Sequence, residues 1–316
     1  MNSDTTAFLF PGQGSQSVGM GKALALSFPA AKQVFGEADS ILGIEFSKIM
    51  WDGPDEILND TINTQPALFI HSLAALRVFE ELHPHFKPAA LAGHSLGELS
   101  ALTAAGALNF TAGLRLVRRR GELMKRAGDL APGGMAAILG LDIPTLDDVC
   151  RQASKPDEVV QVANDNCPGQ VVISGAKAAV ERAVTGAKSA GAKRAVPLAI
   201  SIAAHSPLMA SIQSEWNEAI EEAGLVDPQI RVMGNVKAAF LTSAAAARED
   251  LKAQMQSRVR WTESVQNMIS AGTQTFIEVG NGSVLIGLLK RISGSKDLVG
   301  MPLGEPDHFQ TMNLTG

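Results

Sequence analysis

A serine flanked by glycines is the clearest chemical signal in this sequence. The motif Gly93-His94-Ser95-Leu96-Gly97 follows an apolar stretch at residues 89–92 and precedes a run of helix-forming residues, which predicts a strand, a sharp turn and a helix. A serine on such a turn has a strained backbone, and the glycines let neighbouring chain segments pass without Cβ clashes. The first N–H groups of the helix would face an oxyanion formed at Ser95. We interpret Ser95 as a nucleophile; the alternative is an ordinary serine in a glycine-rich turn.

A nucleophilic serine needs a general base, and His205 is the best candidate among the six histidines. It lies on a junction loop, Ala203-Ala204-His205-Ser206-Pro207. The side chain of His94 is expected to point away from the adjacent Ser95, and His71 is expected to be packed within a helix. The other histidines lie in polar stretches: His83, His85 and His308.

One arginine of a predicted helix is expected to point towards the protein interior. Thr111 is expected to cap this helix, which should run to about Arg126. At 3.6 residues per turn, Arg120 falls in the apolar stripe of Leu116, Leu123 and Ala127. The opposite, charged face comprises Arg115, Arg119, Glu122 and Arg126. A buried guanidinium needs an anion, and either a substrate carboxylate or an acidic side chain of the protein would satisfy it.

A glycine-rich loop, Pro11-Gly12-Gln13-Gly14-Ser15-Gln16, follows an apolar run at residues 7–10 that predicts the first buried strand. The loop lacks the dinucleotide-binding fingerprint, because Ser17 stands where G-x-G-x-x-G requires its third glycine. It is equally compatible with a plain turn and with a second oxyanion donor at the backbone N–H of Gln13.

The order of the remaining elements predicts an α/β protein with a small inserted sheet. Residues 130–203 predict a βαββαβ order, with strands at 135–139, 159–163, 170–174 and 195–200 and helices at 145–153 and 178–190. This is the order of a ferredoxin-like unit, and the polar connection at 164–169 is expected to overhang the cleft. Outside the insert, further elements are expected as follows: helices and loops at 22–60, a helix opened by Thr64-Gln65-Pro66-Ala67, helices at 208–224 and 284–291, strands at 229–233 and 275–279, and a loosely ordered tail from Pro302.

Composition and charge exclude several classes of protein. The chain has 316 residues, a net charge of −5 and no tyrosine, which argues against a nucleic-acid partner. No signal peptide and no membrane-spanning apolar run are present, so a cytoplasmic protein without a membrane partner is expected. Cys150 and Cys167 lack C-x-x-C spacing, so apolar packing is expected in place of a disulfide or zinc site.

Several motifs occur in a characteristic order: the loop at residues 11–16, Thr64-Gln65-Pro66-Ala67, Gly93-His94-Ser95-Leu96-Gly97-Glu98, Arg120-Gly121, Asn166-Cys167-Pro168-Gly169-Gln170, His205 and Val279-Gly280-Asn281-Gly282. Over residues 7 to about 293, this set resembles the malonyl-CoA:acyl carrier protein transacylases. The resemblance implies an α/β-hydrolase-like large domain with a parallel central sheet, at residues 1–129 and 204–316. It also implies a ferredoxin-like small domain at residues 130–203.

The resemblance also implies a role for each matching residue. Ser95 would carry the malonyl group, with His205 as its general base and acid, and Arg120 would hold the malonyl carboxylate. The backbone N–H groups of Gln13 and Leu96 would form the oxyanion hole, and the main-chain carbonyl of Gln254 would orient the imidazole. The remaining residues would line the substrate pocket: Gln65, His94 and Asn166. Two supporting positions depart from the family pattern, since Arg258 and Asn281 each replace a proline.

The partners implied are malonyl-CoA and an acyl carrier protein of fatty acid or polyketide synthesis, served by a monomer without a cofactor. Two other classes of function are weighed against this one. A serine hydrolase or thioesterase with the same turn needs an acid after the serine, and Asp165 is the one loop acid to nominate. A non-catalytic module that binds carrier proteins is disfavoured, because Ser95, His205 and Arg120 are all present.

Overall fold

The computed structural model describes residues 2–198, 200–295 and 297–310. Its strands, in chain order, are β1 (Thr6–Phe10), β2 (Ala90–Gly93), β3 (Gly133–Leu139), β4 (Val160–Cys167), β5 (Gln170–Ala176), β6 (Arg194–Pro197), β7 (Val232–Met233), β8 (Phe240–Leu241), β9 (Thr275–Val279) and β10 (Val299–Leu303).

Its α-helices, in the same order, are α1 (Lys22–Ser27), α2 (Pro29–Leu42), α3 (Phe46–Asp52), α4 (Asp55–Leu58), α5 (Thr61–Leu82), α6 (Gly97–Ala104), α7 (Phe110–Leu130), α8 (Ile143–Ala153), α9 (Lys177–Ser189), α10 (Gln213–Glu222), α11 (Ala244–Gln254), α12 (Trp261–Ser270), α13 (Val284–Ser293) and α14 (Pro306–Gln310). Short 3₁₀ helices cover Ser3–Thr5 and Pro207–Ile212.

The large sheet has six strands in the order β10-β9-β1-β2-β7-β8. Neighbouring strands from β10 to β7 are parallel, and β8 pairs antiparallel with β7. Strand β1 is buried along its whole length, which explains its continuous apolar sequence, because helices cover both faces of a parallel sheet. Phe8 and Phe10 face the core formed with α5, α6 and α7, whereas Ala7 and Leu9 face α12 and α13. The predicted α/β class with a parallel central sheet is confirmed.

The small sheet has four antiparallel strands in the order β4-β5-β3-β6. Helices α8 and α9 pack on one face through a separate apolar core that includes Ile138, Leu146 and Ile173. On the other face, Met135, Ala163 and Val172 form a smaller cluster, against which Ala204 packs. The predicted βαββαβ order is confirmed. Ala204 packs against both this cluster and the core of the large sheet, so it connects the two.

Two predicted helix starts are wrong. Helix α5 begins at Thr61, where the Asp60 carboxylate accepts a hydrogen bond from the Ile62 N–H, so Pro66 lies inside the helix. Pro66 has no N–H group to donate to the Ile62 carbonyl one turn earlier. That carbonyl instead accepts a hydrogen bond from Arg118 Nη1 at 3.3 Å. Helix α7 begins at Phe110, because Asn109, in place of Thr111, caps it. It also ends four residues beyond the predicted Arg126, at Leu130.

Two further predictions are wrong: the polar connection at residues 164–169 and the loosely ordered tail. Strand β4 runs on to Cys167 through two register irregularities, so Asn164, Asp165 and Asn166 lie on a bulged strand. The tail from Pro302 completes the parallel edge strand β10, which follows β9, and then forms α14. The tail beyond residue 310, like the Ala199 portion of the predicted strand at 195–200, lies outside the described residues.

Cys150 and Cys167 are buried without a disulfide, so their predicted packing role is confirmed. The described residues contain no group of histidine, cysteine and acidic side chains arranged to hold a metal ion. In the same part of the chain, none of the helices combines the length and the apolar character needed to cross a membrane.

Candidate active site

The turn at Ser95 joins β2 to α6 at the carboxyl end of the large sheet. Ser95 has a φ of +52°, a left-handed conformation that is unfavourable for a residue with a Cβ atom. A Cβ atom on Gly93 would lie 1.9 Å from the carbonyl carbon of Gly97, and one on Gly97 would lie 2.1 Å from the carbonyl oxygen of Phe10. The predicted strained turn, with glycines required on both sides, is therefore present.

His205 reaches Ser95 from the junction between the two sheets. Its Nε2 lies 2.8 Å from Ser95 Oγ, and its Nδ1 lies 2.8 Å from the main-chain oxygen of Gln254. Because a carbonyl oxygen only accepts, Nδ1 carries the proton and Nε2 is left to accept the hydroxyl proton of the serine. Gln161 Nε2 donates to the His205 carbonyl at 2.8 Å and holds a backbone whose φ is +58°.

The His205 imidazole is neutral at ordinary pH. Burial, followed by the positive charge of Arg120, lowers the pKa of His205 to about 3, although the hydrogen bond to Gln254 opposes this shift. A neutral imidazole with a free Nε2 is the form that a general base requires.

Arg120 lies beside the nucleophile and is only 2% exposed. Its guanidinium donates to Gln65 Oε1 at 2.9 Å, to Gln254 Oε1 at 2.8 Å and to Ser95 Oγ at 3.1 Å. Burial lowers the pKa of Arg120 to about 10, so the side chain remains cationic near neutrality. The predicted inward orientation is confirmed, and all three hydrogen-bond partners are neutral groups.

Four of the remaining predicted residues line a cleft of about 720 Å³ between the two sheets: Gln13, His94, Leu96 and Asn166. His94 Nε2 donates to Asn166 Oδ1 at 2.8 Å, so His94 points into the cleft, contrary to the expectation that it would point elsewhere. Gln13 and Leu96 line the same cleft near Ser95. Gln65 and Gln254 are not among the lining residues; they lie behind Arg120 and hold it.

The loop of Gln13 lies directly against the Ser95 turn. A Cβ atom on Gly12 would lie 2.4 Å from the main-chain oxygen of His94. Asn281, one of the two departures from the family pattern, supports this loop by donating to the Ser15 carbonyl and, at 3.0 Å, to Ser17 Oγ. The other departure, Arg258, lies 3.7 Å from an Asp147 carboxylate oxygen at the surface.

Asp165, the acid that a hydrolase would need, has other partners. Its carboxylate accepts a hydrogen bond from Thr262 Oγ1 at 2.6 Å, and its backbone N–H donates to the Val259 carbonyl at 2.9 Å. The position that an acid would occupy at His205 Nδ1 is taken by the carbonyl of Gln254. The geometry therefore gives no support to a triad through Asp165.

Asn235 is a supporting residue that sequence reasoning missed. Its Oδ1 accepts from the Ser95 N–H at 2.7 Å, and its Nδ2 donates to the Gly93 carbonyl at 2.8 Å. One amide group thus bridges both sides of the strained turn. The one local signal was a glycine and an asparagine after an apolar strand, a pattern that many surface turns share.

A parallel sheet that delivers a strained serine to a histidine base is the arrangement of an enzyme that works through an acyl-serine. The family described as "Acyl transferase domain" matches residues 7–306, and the chain belongs to that family.

The similarity to known proteins extends over nearly the whole chain. The malonyl CoA-acyl carrier protein transacylase of Bacillus subtilis strain 168 is 46% identical over 289 residues, which are 91% of this chain and 90% of that protein. An acyl carrier protein S-malonyltransferase of Vibrio cholerae has a structure that superposes with a TM-score of 0.93 at 43% identity, covering 98% of this chain and 100% of that one. A malonyl-transacylase solved in complex with its type II polyketide acyl carrier protein superposes with a TM-score of 0.92 at 41% identity, covering 97% of this chain and 98% of that one.

Proposed function

We propose that this protein transfers a malonyl group from malonyl-CoA to the phosphopantetheine thiol of an acyl carrier protein, in fatty acid or polyketide synthesis. The observation that carries the proposal is the convergence on Ser95 Oγ of a neutral base, His205 Nε2 at 2.8 Å, and a buried cation, Arg120 Nη2 at 3.1 Å. The transacylase and malonyltransferase names of the similar proteins support the choice of substrate.

The reaction would proceed in two balanced halves. In the first half, Ser95 Oγ attacks the thioester carbonyl while its proton passes to His205 Nε2. The oxyanion would lie beside the N–H groups of Gln13 and Leu96. The C–S bond then breaks, and the imidazolium returns its proton to the thiolate of CoA. In the second half, the carrier thiol gives its proton to His205 and its sulfur attacks the ester carbonyl. The C–O bond to Ser95 then breaks, and the imidazolium returns the proton to Ser95 Oγ, which restores the serine hydroxyl.

Arg120 supplies the selectivity in this proposal. The carboxylate of a malonyl group lies one methylene from the reacting carbonyl, and the guanidinium already reaches the serine oxygen at 3.1 Å. Because the positive charge of Arg120 is one cause of the low His205 pKa, the bound carboxylate would raise that pKa and make the imidazole a stronger base.

We further infer the finer features implied by the resemblance. The separate core of the small sheet supports a division into residues 1–129 with 204–316 and residues 130–203, and its strand order supports a ferredoxin-like unit. The parallel large sheet with a serine turn after β2 supports an α/β-hydrolase-like domain. The proposal also includes a cytoplasmic location and a monomeric state. It includes no cofactor, because the exchange of an acyl group between sulfur and oxygen is balanced without one.

Intact-protein mass spectrometry tests the two halves separately. The protein is incubated with malonyl-CoA, freed of small molecules, and then mixed with acyl carrier protein that either carries or lacks phosphopantetheine. We expect one malonyl adduct that moves to the phosphopantetheinylated carrier alone. An adduct that water removes at the same rate with or without the carrier would instead indicate a thioesterase.

A further inference from the structure

Two buried acids lie behind the Ser95 turn. Glu98 is on α6, three residues after the nucleophile, and Asp250 is on α11; their exposures are 0% and 5%. Glu98 Oε2 and Asp250 Oδ2 each accept from the same Asn235 N–H at 3.1 Å, so the two carboxyl groups lie side by side. Two negative charges this close in a buried site repel each other strongly, so one of the acids holds a proton.

The surrounding donors indicate which acid is charged. Asp250 also accepts from the backbone N–H group of Val236 at 3.3 Å, through both of its oxygens, which stabilises a carboxylate. Glu98 is fully enclosed, and burial together with the neighbouring Asp250 charge raises its pKa well above the usual value. Glu98 is therefore the neutral acid and Asp250 the carboxylate.

The pair holds two amide side chains that contact the reaction centre. Asn235, anchored through its backbone, bridges the Ser95 N–H and the Gly93 carbonyl. Gln254 Nε2 donates to Glu98 Oε2 at 3.0 Å and to the Ser95 carbonyl at 3.2 Å, while its Oε1 accepts from Arg120. The amide of Asn235 thus links the acids to the nucleophile, and the amide of Gln254 links Glu98 to the cation.

We propose that Glu98 and Asp250 are positioning residues, a carboxyl–carboxylate pair that fixes Ser95 through Asn235 and fixes Arg120 through Gln254. Because Gln254 stands between Glu98 and the guanidinium of Arg120, the two charged groups form no direct ion pair, and the guanidinium stays available to the substrate carboxylate. The activity measured in the test rests on the proposed malonyl transfer.

Isosteric substitutions separate the two acids. In Glu98→Gln the amide oxygen can accept from Asn235 and Gln254 as the carboxyl oxygen does, and the side chain stays neutral beside Asp250, so malonyl and acetyl acylation rates should stay within a few fold of the parent. Asp250→Asn places an amide N–H against backbone donors in either orientation. It should lower malonyl acylation roughly ten- to hundredfold, the effect of displacing a reacting group by about 1 Å. Glu98→Ala should lower the malonyl-to-acetyl rate ratio about tenfold, because Gln254 is no longer held against Arg120.

Glu278→Ala is the matched control, since Glu278 is another buried glutamate but accepts from the Ile286 N–H at the start of α13. It should lower the melting temperature and leave the malonyl-to-acetyl ratio unchanged. If Glu98→Ala does not fold, the contrast between Glu98→Gln and Asp250→Asn decides the matter. Equal loss in both variants, or loss in Glu98→Gln alone, overturns the proposal. A parent protein that forms no malonyl adduct would contradict the proposed function instead.

Discussion

The two faces of α7 place neighbouring arginines in opposite environments. Arg119 has a side chain 41% exposed and pairs with a carboxylate, Glu215 Oε2, at 2.7 Å. Arg120 is buried and contacts two amide oxygens and one hydroxyl. A surface ion pair contributes about 0–1 kcal/mol, whereas a buried charge without a counter-ion costs several kcal/mol. The buried face therefore holds a cation without a counter-ion, and in the proposed function the substrate carboxylate supplies it.

Removing Arg120 should give the largest effect of this comparison. In Arg120→Ala, malonyl transfer should fall by about 10⁴-fold, because the substrate carboxylate would be buried without a partner. Acetyl transfer should fall little or rise. Parallel acylation rates with malonyl-CoA and acetyl-CoA measure both, and a variant that kept the parent's preference for malonyl would place the carboxylate elsewhere.

Removing the base tests whether the buried face works without a triad acid. His205→Ala should lower the acylation rate by roughly 10² to 10⁴, the usual contribution of a positioned base. Asp165→Asn should stay within a few fold, since Asp165 contacts Thr262 and not His205. Stopped-flow acylation of both variants decides between the two mechanisms: a loss in Asp165→Asn as large as that in His205→Ala would favour a hydrolase triad.

The pH dependence of acetyl transfer should show the charge of Arg120 at His205. The pKa of His205 is lowered to about 3, so the base is protonated only at low pH and the parent should keep its rate well below pH 6. Arg120→Ala removes one cause of that shift, so the acid limb of the rate profile should move to higher pH. Arg119→Ala should leave the limb in place, and a shift of equal size there would show a nonspecific effect.

The same lowered values make the stability of the protein depend on pH. Burial lowers the pKa of His71 to about 4, and that of His205 is about 3. Between those values and the unfolded value near 6.5, the unfolded chain binds more protons than the folded one. The part of the free energy of unfolding that these two histidines contribute is therefore fully present above about pH 6.5 and decreases as the pH falls below it, whereas the buried Glu278, whose pKa burial raises to about 7, contributes in the opposite direction. Denaturant melts between pH 7 and 5 measure this slope, which His71→Asn should reduce.

The smallest effect on activity and stability is expected from a substitution on the exposed face of α7. Arg119→Ala should change the free energy of unfolding by less than about 1 kcal/mol, because the pair with Glu215 is partly solvated. The preference for malonyl over acetyl should be unchanged. Urea melts and the two acylation rates measure the outcome, and a tenfold loss of malonyl preference would remove the distinction between the faces.

Local patterns made much of this arrangement predictable. Three features depend on residues close together in sequence: the Ser95 turn, the inward orientation of Arg120 and the order of elements in the small sheet. Spacing alone was therefore enough to predict them. The start of α5 was missed because Pro66 looked like a first-turn proline. The Ile62 carbonyl that this proline leaves unpaired is satisfied by Arg118, 56 residues along the chain, which no local pattern shows.

The support behind the nucleophile could not be predicted for the same reason. Asn235 reaches the Ser95 N–H across 140 residues of sequence, and Gln254 reaches Glu98 across 156. Glu98 itself had the pattern of an ordinary first-turn acid of α6, and its neutral state depends on the buried Asp250 brought beside it by α11. Tertiary packing, and not spacing, determines this layer of the site.

The most direct measurement of the central claim is the location of the acyl group. The parent protein and Ser95→Ala are incubated with malonyl-CoA, and each is analysed by intact-protein mass spectrometry followed by peptide mapping. If Ser95 is the nucleophile, the parent gains one malonyl group on the peptide that contains Ser95, and the variant gains none. An equal adduct in Ser95→Ala would show that another residue carries the acyl group and would contradict the account.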